Sequence, residues 1–189
     1  RRAHERGMAV HLDGARLWNA HVATGIPLAA YAACADTVSV CLSKGLGAPV
    51  GSLLVGSAEH MEQARVWRKR FGGGMRQVGI LAAAGRYALE HQLERLADDH
   101  ARCQQVAQAV AGARPGVVDP ADVHTNILVL RVAAAGWTGA DFVAAAGERG
   151  VLGYPTGPGS ARFVWHLDVD DAQTDHAGAV LTDLLTARR

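Results

Sequence analysis

Residues 8–16 read MAVHLDGAR, and residues 37–55 read TVSVCLSKGLGAPVGSLLV. Each begins with a short apolar run, and each run ends in a polar, glycine-containing turn. Apolar runs of this length bounded by turn signals read as buried strands. The pattern predicts strands over residues 8–12, 37–42 and 52–55. Pro27 and residues 28–35 between the first two read as a helix, since proline suits a helical first turn. Strand–helix–strand is the parallel crossover unit. Residues 43–51 are too few for a second helical crossover, so the third strand is expected to run antiparallel. The result is an α/β sheet with one reversed strand.

Working outward, residues 1–7 (RRAHERG) carry no methionine and read as the tail of a helix capped by Gly7. A domain rarely opens this way, so an amino-terminal part is expected to be missing. Downstream, residues 58–70 read as a helix broken by Gly72, Gly73 and Gly74. Residues 75–111 carry Leu81, Ala84, Ala88, Leu89, Leu93 and Leu96 at helical spacing, with a break expected near 97–99. Beyond Asp119 the pattern changes to strand (125–132), helix (138–149), strand (161–167) and helix (171–187). The chain therefore divides into residues 1–96, part of a large α/β domain, and residues 97–189, a small α+β domain.

The 189 residues are 49% hydrophobic and 20% charged, a globular balance. Nineteen basic and 18 acidic residues leave a net charge of +1. No basic excess exists to neutralise a phosphate backbone or an anionic lipid surface, so neither nucleic acid nor membrane is an expected partner. Trp67 among Arg65, Arg68, Lys69 and Arg70 does not alter that. Residues 17–35 lack charge but hold Asn19, His21, Gly25 and Pro27, which makes a poor membrane span. Cys34, Cys41 and Cys103 are an odd number without CxxC spacing, so neither a disulfide framework nor a zinc finger is expected. A reducing cytoplasm fits, with the three cysteines as small buried hydrophobes. The nine histidines form no HExxH motif and no metal is assigned.

The chemistry is expected where the first two strands end. Parallel neighbours joined by one crossover finish on the same sheet edge, and ligands of open α/β sheets bind there. Asp13 follows the first strand and Lys44 the second. A lysine can form an imine with a carbonyl cofactor. Pyridoxal phosphate is such a cofactor, and it needs an acidic partner for its ring nitrogen. Ala15, two residues past Asp13, would face the same side of an extended chain and pack on the ring. His11, also on Asp13's side, is expected to be a packed, hydrogen-bonded neighbour. His166 is expected to be structural within its strand, and residues 94–100 a solvated helix face.

The strings HLDGARLWNA (11–20), SVCLSKGLGAPVGSLLVG (39–56), RKRFGGGMRQ (68–77) and YALEHQLERLADDH (87–100) resemble the low-specificity L-threonine aldolases. These are fold-type I pyridoxal-phosphate enzymes of the β-eliminating lyase group. VHTNILVL (123–130) and ARFVWHLDVDD (161–171) extend the resemblance more thinly. It implies the carboxy-terminal part of a fold-type I large domain followed by a small α+β domain. It implies that Lys44 forms the imine and Asp13 pairs with the pyridinium nitrogen. Arg16 would lie near the cofactor's phenolic oxygen and the substrate carboxylate. Arg162 would be the main carboxylate arginine. Lys69 and Arg76 would reach the cofactor phosphate of a neighbouring subunit in a dimer or tetramer. The implied reaction cleaves L-threonine, or a related β-hydroxy-α-amino acid, to glycine and an aldehyde. A phenylserine-preferring aldolase, a β-eliminating lyase and a non-catalytic fragment keeping the subunit interface are the alternatives. The family's phosphate loop, stacking ring and base histidine have no match in this chain, so alone it is expected to be inactive.

Overall fold

In the computed structural model, which describes residues 2–187, β1 (His11–Gly14) and β2 (Thr37–Cys41) lie side by side and parallel. His11 stands opposite Thr37 and Gly14 opposite Val40. β3 (Ser52–Gly56) pairs with β2 in the antiparallel sense, so the sheet order is β1-β2-β3 with the last strand reversed. The short 43–51 connection leaves no other direction. β1 starts three residues later than its apolar run predicts: its register with β2 begins at His11 opposite Thr37, and before it the Val10 carbonyl accepts the Asp36 N–H at 2.9 Å.

Two helices cross from β1 to β2. The second, α2 (Leu28–Ala32), follows Pro27 as expected. The first, α1 (Leu17–Thr24), has no amphipathic stripe and no side-chain N-cap, which is why the sequence pattern does not reveal it. Leu17, Val38 and Val40 form a buried cluster beneath one sheet face, with Leu12, Leu28 and Tyr31 against it. Arg1 lies outside the described residues. The expected helix tail is a single 3-10 turn, His4–Arg6, capped by Gly7 at φ 67°.

α3 (Ala58–Arg70) starts where Ser57 Oγ accepts the His60 backbone N–H. Residues 75–111 do not form one long helix. They contain α4 (Gly79–His91) and the start of α5 (Leu96–Ala113), separated at residues 92–95. The expected break at 97–99 falls inside α5 because Asp98 and Asp99 occupy its first turn, where acidic side chains favour the positive end of the helix dipole. Nor are residues 94–100 a solvated face, since Leu96 and Asp99 are both fully buried.

The chain divides into two compact units, one up to Leu96 and one from Ala97 onward. In the second unit, β4 (Ile127–Leu130), β5 (Tyr154–Gly157) and β6 (Ser160–Val164) form an antiparallel sheet of order β4-β6-β5. Leu128, Leu130, Ala161 and Phe163 face a core shared with α5, α6 (Gly139–Glu148) and α7 (Asp171–Ala187). β5 (YPTG) is unforeseen in the sequence. Its proline and glycine argue against a strand, but an edge strand tolerates both. His166 lies beyond the end of β6, half exposed, with Nδ1 3.5 Å from Asp168, rather than inside a strand. Of the three cysteines only Cys103 is buried, while Cys41 is intermediate and Cys34 exposed.

Candidate active site

Asp13 is the third residue of β1, opposite Ser39 of β2, and its side chain is exposed. Oδ1 accepts the Ala15 backbone N–H at 3.1 Å. That bond makes a local Asx turn, fixing the carboxylate at the strand's end. β1 stops at Gly14, so Ala15 sits in the turn and strand alternation does not set its direction. Its backbone N–H is the group that meets Asp13. His11 shares Asp13's face and pairs its Nδ1 with Thr37 Oγ1 at 2.8 Å, but it is exposed rather than packed.

Gly14 holds β1 close to β2. A Cβ there would lie 2.8 Å from the Ser39 carbonyl oxygen and 3.2 Å from Leu17 Cβ. Arg16 is the N-cap residue of α1 and is exposed. Asp13, Ala15 and Arg16 therefore form one short segment at the carboxyl end of β1.

Lys44 lies three residues past β2 at the same edge, also exposed. Its loop is closed by backbone hydrogen bonds from Gly47 N to Lys44 O (2.8 Å), Ala48 N to Leu42 O (3.0 Å) and Leu42 N to Gly51 O (2.9 Å). Gly47 takes φ 71°, a left-handed value that glycine adopts without strain. Leu46 is fully buried with Leu42, Ala48, Ala88 and Leu96 and anchors the loop from below. A Cβ on Gly45 would meet Leu96 Cδ2 at 2.9 Å and Asn19 Oδ1 at 3.2 Å. Trp18 Nε1 donates to the Cys41 carbonyl at 2.8 Å. The first turn of α1, next to Arg16, thus braces the strand that carries Lys44. The sequence alone assigns no site role to Trp18 or Asn19; the one signal for Asn19 is a polar residue within an uncharged stretch.

Lys69 stands in the last turn of α3 and Arg76 in the turn beyond the three glycines. Gly74 leaves space for the Lys69 stem, since a Cβ there would lie 2.9 Å from Lys69 Cδ. Gln77, just after Arg76, holds the left-handed φ of 51°. Both cations belong to the same unit as Lys44, and both are exposed.

Arg162 belongs to the second unit, on the central strand β6. Its guanidinium carbon lies 5.8 Å from the Tyr154 ring centroid. Its Nε is buried and has no hydrogen-bond partner among the described residues. Those residues contain no group of three or more His, Cys, Asp or Glu side chains able to hold a metal. They also contain no helix long and apolar enough to cross a membrane.

A family model described as beta-eliminating lyase matches residues 1–133. The chain is 44% identical over 179 residues to the low specificity L-threonine aldolase of Escherichia coli O157:H7, covering 93% of this chain and 50% of that protein. It is 45% identical over 128 residues to the low-specificity L-threonine aldolase 1 of Arabidopsis thaliana, covering 68% and 36%. Among solved structures it resembles a Leishmania major threonine aldolase, at a TM-score of 0.73 and 19% identity, covering 97% of this chain and 54% of the other. It also resembles an ornithine aminotransferase of Toxoplasma gondii ME49, at a TM-score of 0.69 and 20% identity, covering 98% and 45%. The chain spans about half the length of the curated relatives it matches.

Proposed function

The chain belongs to the beta-eliminating lyase family, fold-type I pyridoxal-phosphate enzymes, and from that premise we propose that it serves the retro-aldol cleavage of L-threonine or L-allo-threonine to glycine and an aldehyde. One observation carries the reading: an exposed carboxylate and an exposed lysine end adjacent parallel strands, Asp13 on β1 and Lys44 beyond β2. The donor set fits the cofactor. Lys44 offers the amine for a carbonyl, Asp13 a carboxylate fixed through one oxygen, and Arg16 a cation beside it.

Bound there, pyridoxal phosphate supplies an electron sink for the bond that breaks at Cα. Lys44 would hold the cofactor through its amine as an imine to the aldehyde carbon. Asp13 keeps a proton on the pyridine nitrogen. Arg162, whose Nε is unpaired among the described residues, takes the substrate carboxylate by a planar two-pronged contact that a lysine cannot reproduce. Within the first unit, Arg16 would serve the cofactor's phenolic oxygen beside Asp13. In the net reaction the β-hydroxyl loses its proton, the Cα–Cβ bond breaks and Cα gains a proton.

Lys69 and Arg76 are proposed to reach the cofactor phosphate of a second copy in a dimer or tetramer. The surface around them supports such a contact. Trp67 and Phe71 stack at 5.6 Å, Arg70 lies 4.9 Å from the Trp67 ring centroid, and Phe71 and Ile80 are each 81% exposed. Exposed aromatic and arginine clusters of this kind mark protein interfaces. Cysteine usage supports a cytoplasmic setting.

Incubation with pyridoxal phosphate, borohydride reduction and peptide mapping test the site. We expect label concentrated on Lys44 and lost in Lys44→Ala. Label spread over surface lysines would overturn the reading. The family's name makes β-elimination the second reading, and products separate the two: glycine with an aldehyde, or ammonia with a keto acid.

A further inference from the structure

Arg162 sits in unusual company for a sheet-face arginine. Ala161 and Phe163 point into the core, so Arg162 lies on the opposite face of β6. Its direct cross-strand neighbours are Val129 on β4 and Tyr154 on β5. Neither is acidic, and among the described residues Arg162 makes no ion pair. Val129 is 44% exposed and Tyr154 63% exposed, so this face is open.

We propose that Tyr154 is a positioning residue for Arg162, backing the guanidinium with its ring so that the two-pronged edge stays free for the carboxylate of an amino-acid substrate. The inference rests on the reading of Arg162 as the carboxylate arginine. An acidic neighbour would hold the guanidinium by occupying its N–H groups, in competition with substrate. An aromatic face attracts the cation through the ring quadrupole and occupies none of its in-plane N–H groups. The 5.8 Å separation is within range of that attraction.

The local sequence constrains the backbone that carries the ring. Pro155 confines the preceding residue to extended backbone. Gly153 lies against the Phe163 ring, where any Cβ would collide. Tyr154 is thus held between a residue pinned to the core and a proline.

Two measurements test this. Side-chain ¹⁵N–¹H spectra of the chain report the Arg162 Nε–H, identified by its loss in Arg162→Ala. We expect a ring-current displacement that persists in Tyr154→Phe and disappears in Tyr154→Leu. In the active, cofactor-loaded enzyme, Tyr154→Leu is expected to raise the KM for L-threonine about two- to five-fold. kcat should be unchanged, Tyr154→Phe should restore the wild-type KM, and Tyr154→Leu should add nothing to Arg162→Lys. If Arg162→Lys itself leaves KM unchanged, the carboxylate reading falls and Tyr154's role with it. If Arg162→Lys raises KM but Tyr154→Leu does not, or acts equally in both backgrounds, only the Tyr154 proposal falls. A loss of kcat and melting temperature shared by Tyr154→Leu and Tyr154→Phe would likewise overturn it in favour of a packing role.

Discussion

At the scale of single residues, two glycines set the separation of the proposed chemical groups. A Cβ at Gly14 would meet a backbone carbonyl, Ser39 O, at 2.8 Å. A Cβ at Gly45 would meet the end of the Leu96 side chain at 2.9 Å. A side-chain tip gives way more easily than a sheet backbone. We therefore expect Gly14→Ala to destabilise by about 2–3 kcal/mol and Gly45→Ala by about 1 kcal/mol, within the usual range for overpacking. Urea unfolding measures both, and cofactor retention should fall further in Gly14→Ala. The cysteines give a second prediction. Burial pushes the Cys103 thiol up to about 12, which leaves almost no thiolate at neutral pH. Cys34 is exposed. A thiol reagent should modify Cys34 first and Cys103 only on unfolding, and rapid labelling of Cys103 in the native protein would contradict its burial.

At the scale of elements, the entry to β1 is tied to the start of β2. Asp36 Oδ2 accepts the Val10 backbone N–H at 2.7 Å and lies 3.0 Å from His4 Nε2. The Val10 hydrogen bond, followed by the His4 contact, holds the Asp36 carboxyl below its ordinary range. A carboxylate lowered in the fold stabilises it above the unfolded value, and that contribution is lost as pH falls through the folded value. Asp36→Asn should thus weaken protection of the Val10 amide at neutral pH and narrow the difference from wild type in strong acid. Hydrogen exchange of Val10 across pH checks both. Elements were legible where side-chain pattern and direction agree. α3 and α7 fall at the expected residues, and the reversal of β3 follows from the length of its connection alone. α1, the 92–95 break and β5 were not legible. The first lacks an amphipathic stripe. The second depends on Leu96 reaching the core with Leu42 and Leu46. The third depends on an edge position that permits proline.

At the scale of the molecule, both sheet margins of the first unit are open among the described residues. β3 pairs only with β2, and Leu53, Leu54 and Val55 are 44–50% exposed. Open apolar strand edges are templates for another strand. Together with relatives of twice the length, this supports the proposal that the site needs further polypeptide. Supplying the amino-terminal half of a relative should raise threonine cleavage from background and reduce exposure of Leu53–Val55 to hydrogen exchange. No gain in either would refute the proposal. The sequence by itself determined the parallel first pair of strands, the one reversed strand and the shared edge of Asp13 and Lys44, because connection length and strand direction are properties of the chain. Only the tertiary structure decided that Trp18 bonds to the Cys41 carbonyl at the end of β2, that the Ala15 N–H meets Asp13 and that the Tyr154 ring lies beside the Arg162 guanidinium. Those contacts join residues on different elements, and no local periodicity encodes which side chain a neighbouring strand or helix brings within reach.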